Sequence, residues 1–362
     1  MSSPVVIAPD SLKGSLDARA TAEAIAEGWR SVRPTDELVI VPQADGGEGT
    51  LDALERSVSG SARRDAGTVT GPDGRAVLGE WLELPGKVAV VELAQCSGLP
   101  LMQTPDAMGA TTRGLGEVIH AALDAGATSL VIALGGSAST DGGAGALAAL
   151  GLKLTDDHGA PLADGGGPLS LLRSVDASEV RRPPARGVTL LTDVTAPLLG
   201  PTGAAAVFAP QKGATVAQVA ELDAALARFA GLTGGDPWQP GAGAAGGTAF
   251  GFATLWGGRI RPGAAYIAEV TGLTTAVSTA RLLITAEGKF DAQSHTGKVV
   301  GHGIALAGAA GVRVAIIAGQ TEADPSVWTL SLSALAGSVD ASLADPVRWL
   351  IEAGRRAARE LG

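Results

Sequence analysis

Several short segments of this chain bring glycines together with acids, lysines or hydroxyls. They are Asp10-Ser11-Leu12-Lys13-Gly14-Ser15, Asp45-Gly46-Gly47-Glu48-Gly49-Thr50, Gly135-Gly136-Ser137, Asp141-Gly142-Gly143 and Glu287-Gly288-Lys289 with Asp291. Asp193 and Gly297-Lys298 complete the set. Glycine lets backbone N–H groups approach an anion, and a helix that starts nearby adds a favourable dipole. Carboxylates can hold a divalent cation or accept a hydroxyl proton, and lysines neutralise phosphate charge. Phosphoryl transfer uses all of these parts, whereas a dehydrogenase would use the glycines and one acid. Each segment alone has an ordinary reading: a turn, a helix N-cap or a first-turn charge such as Glu48. Their recurrence carries the argument. Four of the six lysines, Lys13, Lys212, Lys289 and Lys298, fall in Gly-containing loops, against 21 arginines spread through the chain.

Two motifs mislead. Gly241-Ala242-Gly243-Ala244-Ala245-Gly246 spells the dinucleotide fingerprint but follows Trp238-Gln239-Pro240 instead of a strand, so its required context is missing. No Gly-x-x-x-x-Gly-Lys-Ser/Thr occurs, which excludes a P-loop kinase. His120, His158, His295 and His302 lack metal-ligand spacing, and Cys96 reads as a small packed hydrophobe.

The chemistry-bearing loops need strands to end on and helices to begin after them. Val5–Ala8 is a short apolar run ending at Pro9-Asp10; Ala22, Ile25, Trp29 and Val32 then form a helical stripe. Leu38–Val41 ends at Ala44-Asp45, and a second helix opens at Gly49. Repeated strand–loop–helix units predict α/β architecture with parallel sheets, whose ligands bind at the carboxyl ends of the strands. Around 68–93 the turns Gly71-Pro72-Asp73-Gly74 and Pro85-Gly86 separate β-like runs, which predicts an antiparallel ribbon. Strands at 130–134 and 188–192 follow, and the first pattern resumes at Leu282. The expected organisation is a discontinuous Rossmann-like domain, 1–65 with 281–362, and an inserted α/β domain, 66–280.

The chain has 362 residues, more than one core usually supports, which agrees with two domains. Net charge is −10 with no Lys/Arg run, so there is no electrostatic footprint for nucleic acid or an anionic membrane surface. One cysteine excludes an intrachain disulfide and a cysteine-cluster metal site. Met1–Asp10 lacks the pattern of a signal peptide, and Val299–Gly319, broken by Arg313 and glycines, reads as helix plus strand. A cytoplasmic protein without a membrane partner is expected; a homo-oligomer is compatible with the sequence.

At these loops the chain resembles the bacterial glycerate kinase family, the first of the unrelated glycerate kinase types. The resemblance lies in Ile7-Ala8-Pro9-Asp10-Ser11-Leu12-Lys13-Gly14-Ser15-Leu16, Ala44–Thr50, Gly135–Ala138, Asp141-Gly142-Gly143 and Asp193-Val194. It continues through Pro210-Gln211-Lys212-Gly213-Ala214, Pro240–Gly247, Glu287-Gly288 with Asp291, and Gly297-Lys298, in the family's order along nearly the whole chain. The resemblance implies phosphorylation of D-glycerate by ATP with Mg²⁺, most often at the 2-hydroxyl, by two α/β domains with the active site in the cleft between them. Asp193, which projects from a strand end in the middle of the chain, is expected as the base or orienter of the substrate hydroxyl, with Lys13 and Asp45 also catalytic. Asp45, Asp141 and Asp291 are expected magnesium ligands. Asp10, Ser11, Gly46, Gly47, Gly135, Gly136, Ser137, Gly142, Gly143, Lys212, Glu287 and Lys298 are expected to bind substrate or phosphate. Which loop takes ATP and which glycerate stays open at this level. Three positions depart from the family pattern: Thr140 and Ala196 stand where Asn is usual, and Ala286 where Gly is usual. Asn to Ala removes a donor and an acceptor, and Gly to Ala adds a methyl that can block a backbone approach. These departures motivate two rival readings, a kinase of another small hydroxy acid and a non-catalytic relative that binds nucleotide or hydroxy acid.

Overall fold

The computed structural model of the protein describes residues 3–12, 14–291, 294, 298–322 and 327–362. In chain order its strands are β1 (Val5–Ile7), β2 (Leu38–Ile40), β3 (Ala62–Thr70), β4 (Ala76–Leu84), β5 (Val88–Glu92) and β6 (Ser129–Ala133). They continue with β7 (Lys153–Thr155), β8 (Ser174–Asp176), β9 (Val188–Leu191), β10 (Arg259–Arg261), β11 (Leu282–Phe290), β12 (Arg313–Thr321) and β13 (Trp328–Ser331). The chain forms two compact units, one of Met1–Asp45, Asp52–Ser59 and Gly263–Gly362, the other of Gly46–Leu51 and Gly60–Pro262.

The first unit is a doubly wound sheet in the order β13-β12-β11-β1-β2, parallel throughout. Strands buried on both faces need apolar residues at every position, and Val5, Val6 and Ile7 are fully buried. Alternation sends Val5 and Ile7 to one face, against Ile25 and Trp29 of helix Ala18–Val32 and Leu350 of helix Pro346–Leu361. Val6 and Ala8 face the other way, against Ala268, Val277 and Ala307. Each such large aliphatic side chain contributes about 1.5–3 kcal/mol by leaving water. Helices Gly263–Val270 and Leu273–Thr279 therefore pack on this sheet, although the sequence reading assigned them to the inserted part. Their apolar faces complete a layer that β1 and β11 would otherwise leave in water.

Helices Ala18–Val32 and Pro346–Leu361 approach through glycine. A Cβ on Gly28 would lie 2.0 Å from the Ile351 carbonyl oxygen, and one on Gly354 would lie 2.2 Å from that of Ile25.

The second unit is a six-stranded sheet, order β10-β9-β6-β5-β4-β3. β10, β9, β6 and β5 run parallel, while β4 and β3 add an antiparallel ribbon with a bulge between Asp65 and Gly67. Its core joins Val91, Leu130 and Ile132 of the sheet to Leu115, Ile119, Phe229 and Phe252 of the covering helices. β7 and β8 form a separate two-stranded ribbon. Among the described residues no helix is long and apolar enough to cross a membrane.

Candidate active site

In the first unit β1 leads rightward to β2, while β11 leads leftward to β12, so the order reverses between β1 and β11. A crevice forms at such a switch point, outside the carboxyl ends of the strands. Here it is a cavity of about 530 Å³. Asp10 and Ser11 extend from β1, Asp45 lies beyond β2, and Glu287, Gly288 and Lys289 belong to β11. Asp10 is held by its N–H donating to Ala286 O at 2.8 Å, and its Oδ1 accepts from the Ser11 N–H at 2.7 Å. Asp291 and Lys298 complete the polar wall. The Lys289 ammonium sits 3.2 Å from Asp291 Oδ2, and hydrogen bonding to that carboxylate raises its pKa, helped by Glu322. Lys298 is exposed at the N-cap of helix Val299–Ala310, whose first turn carries no side-chain cap. The structure thus brings Asp10, Ser11, Asp45, Glu287, Asp291 and Lys298 to one cavity. Lys13, expected to be catalytic, and Gly297 lie outside the described residues.

In the second unit the carboxyl ends of β5, β6 and β9 gather the remaining loops. The Gly135 N–H donates to Gly46 O at 2.9 Å, and a Cβ on Gly135 would lie 2.4 Å from Gly47 Cα. Gly46 adopts φ +86°, and a Cβ there would press on Leu191 at 2.9 Å. Only glycine lets these two loops touch. The Leu134 N–H donates to Leu191 O at 3.2 Å, so the loop after β6 starts beside the end of β9, two residues before Asp193. Asp193 is partly exposed, and the Val194 N–H behind it donates to Thr192 Oγ1 at 3.1 Å.

Glu92 was not singled out from the sequence. It is fully buried at the end of β5, and its carboxylate accepts from Gly49 N–H at 3.2 Å and Leu51 N–H at 3.1 Å. It pins the Gly46–Leu51 segment to the sheet. The signal was present: an acid ends the otherwise apolar strand Val88-Ala89-Val90-Val91.

Asp141, expected as a magnesium ligand, belongs to the second unit. It is completely buried, and its Oδ2 accepts from the Thr112 N–H at 2.9 Å, the Thr112 hydroxyl at 2.7 Å and the Gly145 N–H at 3.2 Å. Its Oδ1 accepts from the Gly143 N–H at 3.1 Å. Four protein donors therefore engage this carboxylate. Gly142 and Gly143, expected to touch an anion, both adopt positive φ, and Gly142 packs on Phe229 and Leu226. They shape the turn that seats Asp141.

Lys212 is only 2 % exposed. Its ammonium donates to the Ser139 carbonyl and lies 3.4 Å from Ser137 Oγ. No carboxylate forms an ion pair with it among the described residues. Burial pulls its pKa down to about 8, with the Asp141 charge opposing. A buried cation with hydroxyl and carbonyl neighbours in place of a counter-ion suits an anionic ligand.

The Gly241–Gly246 motif braces this region. A Cβ on Gly243 would strike Pro197 O at 2.2 Å, and one on Gly246 would strike Ser139 O at 2.1 Å. Gly246 O also accepts from the Gly142 N–H at 3.0 Å. Its glycines admit neighbouring backbone, not a dinucleotide. Of the three departures, Ala286 is fully buried in the core cluster with Ile284 and Leu350, so its methyl faces the core and blocks no ligand approach. Thr140 is fully buried, and its Oγ1 has no hydrogen-bond partner among the described residues. Ala196 lends its carbonyl to the Gly243 N–H at 3.0 Å.

The chain matches the glycerate kinase family over residues 5–361. It is 41 % identical to the glycerate 2-kinase of Escherichia coli K12 over 304 residues, 82 % of this chain and 79 % of that protein. Identity to the glycerate kinase of Bacillus subtilis 168 is 42 % over 306 residues, 81 % of this chain and 79 % of the relative. A crystal structure from Salmonella typhimurium LT2, of a protein provisionally assigned as glycerate kinase 2, superposes with a TM-score of 0.83 at 34 % identity, covering 100 % of this chain and 98 % of that one.

Proposed function

The chain belongs to the glycerate kinase family, and from that premise we propose that it transfers the γ-phosphoryl group of ATP to the 2-hydroxyl of D-glycerate. The observation that carries this reading is the switch-point cavity, where carboxylates of Asp10, Asp45 and Asp291 share one wall with the lysines 289 and 298. Carboxylate oxygens are hard donors suited to Mg²⁺, which is usually held by one or two carboxylates together with substrate phosphates. Asp10, Asp45 or Asp291 would hold the ion, and it would supply charge neutralisation for the transferred group.

In this reading the substrate hydroxyl oxygen bonds to the γ-phosphorus as the bond to the bridging oxygen breaks and ADP leaves. The hydroxyl proton passes to the Asp193 carboxylate. Lys298 and Lys289 balance phosphate charge, Lys13 serves the phosphate or the glycerate carboxylate, and Lys212 with Ser137 meets an anionic group of the substrate. Catalysis of this kind is mainly positioning and electrostatics, which explains the investment in rigid glycine loops. The identities to named glycerate kinases favour glycerate over other hydroxy acids.

The test is ATP consumption with Mg²⁺ and D-glycerate, coupled to enzymes that distinguish 2- from 3-phosphoglycerate. Turnover that yields 2-phosphoglycerate is expected. Turnover with a different hydroxy acid alone, or with none, would overturn the substrate assignment. A buried Thr140 hydroxyl without a partner among the described residues, where Asn is usual, favours the hydroxy-acid panel as the second experiment.

A further inference from the structure

The 530 Å³ cavity of the first unit is chemically graded along the sheet. Over β11, β1 and β2 its lining is mainly charged, with both signs present: Asp10, Asp45, Glu287 and Asp291 beside Lys289 and Lys298. Over β12 it is Gly319 and Gln320, and at the β13 edge it turns apolar with Leu332, Val339, Leu343 and Pro346. Leu332 follows β13 directly, and the short helix Val339–Ala344 packs against β12 and the helix at Pro346. Val339 is 38 % and Leu343 55 % exposed, although a six-residue helix could have turned smaller or polar residues outward. The volume falls in the range of pockets for drug-sized ligands, about 300–1,000 Å³, and far exceeds the needs of a three-carbon acid.

We infer that this cavity is the nucleotide site, with the purine base on the Val339–Leu343 wall and the phosphates at the β11–β1 switch point. The inference rests on the kinase reading and adds which of the two units takes ATP. A nucleoside triphosphate has this polarity: a flat apolar base at one end, a ribose in the middle and an anion that binds Mg²⁺ at the other. Gln320, exposed between the two ends, has an amide suited to the base edge or ribose hydroxyls. At Gly319 a Cβ would lie 2.4 Å from Gly288 O, so glycine keeps the floor flat where the ligand crosses from β12 to β11.

The experiment compares binding of MgATP and of magnesium tripolyphosphate, which lacks base and ribose, by titration calorimetry. The doubly substituted Val339→Ser/Leu343→Ser protein is expected to bind MgATP about tenfold more weakly while tripolyphosphate affinity stays the same, because only apolar contact is removed. Leu343→Met, which preserves that contact, should stay within about twofold of wild type. Unchanged MgATP affinity in the double variant, equal weakening of both ligands, or altered self-association at unchanged MgATP affinity would overturn the inference. The wild-type coupled assay reports separately on the kinase reading. Wild-type protein that binds MgATP with the expected variant pattern but phosphorylates no hydroxy acid would sink the function and leave the base site standing.

Discussion

Asp141 Oδ2 accepts both the backbone N–H and the hydroxyl of Thr112, at 2.9 and 2.7 Å, from 29 residues along the chain. The Thr112 hydroxyl itself accepts from the Ala146 N–H at 2.9 Å. One carboxylate therefore ties the start of helix Arg113–Asp124 to the start of helix Ala144–Ala149. Removing it would strand several buried N–H groups, each worth about 1–3 kcal/mol when left unsatisfied. Asp141→Ala is expected to lose about 3 kcal/mol of stability in denaturant titration. The Mg²⁺ concentration for half-maximal activity of the folded fraction should be unchanged. A large rise in that concentration at wild-type stability would restore Asp141 as a metal ligand.

The same residue marks where sequence reading stops. Asp-Gly-Gly after a strand reads equally as a metal loop or as a cap, and only the partner, Thr112, decides. Strand positions were legible, because fully apolar runs such as Val5-Val6-Ile7 and Leu130-Val131-Ile132 fit only buried parallel strands. The loops at strand ends followed from that. β13 and the helices of residues 204–279 escaped notice, since Ala-rich and Gly-rich stretches carry weak periodicity. Glu92 escaped because a lone buried acid has no spacing to betray it. The direction of the Ala286 methyl was not legible, because alternation along β11, not residue identity, determines it.

Lys212 sets a pH dependence with two opposite signs. Its folded pKa of about 8 lies below the value near 10.4 of a free lysine. Between these values the unfolded chain binds more protons, so stability should rise with pH from about 8 to 10.4. Below pH 8 both states are charged and the cost of burial is felt in full. Anion binding needs the ammonium, so kcat/KM should fall as pH rises through about 8. Lys212→Met should raise the Tm at pH 7 and lower kcat/KM by about two orders of magnitude. A variant with lower Tm and normal kcat/KM would mean that Lys212 serves packing alone.

Gly28 and Gly354 test the helix crossing behind the first sheet. A Cβ on Gly28 would lie 2.0 Å from the Ile351 oxygen, well inside contact distance, and backbone cannot yield as a flexible side chain would. Gly28→Ala should destabilise the protein by about 2–3 kcal/mol despite the better helix propensity of alanine. At Gly308, in helix Val299–Ala310, a Cβ would meet nothing within 4 Å, and the same substitution should be stabilising or neutral. Thermal unfolding of the pair separates close packing from propensity. Equal shifts would contradict the crossing geometry.

Asp193 lies two residues past β9, beside the loop that carries Gly135 and Gly136, on backbone held by the Val194 N–H bond to Thr192. That setting suits a group that must meet a hydroxyl at a fixed angle. Asn has the same size and keeps one acceptor, but it cannot take the proton. Asp193→Asn should therefore lower kcat by about 10²–10⁴ while KM for both substrates and the Tm stay close to wild type. Asp45→Asn provides the contrast, because a residue that holds Mg²⁺ should raise the Mg²⁺ requirement and recover part of its rate at high Mg²⁺. Coupled assays across a Mg²⁺ series distinguish the two roles. Near-normal kcat for Asp193→Asn would remove it from the reaction, and rescue by Mg²⁺ would make it a metal ligand instead of the base.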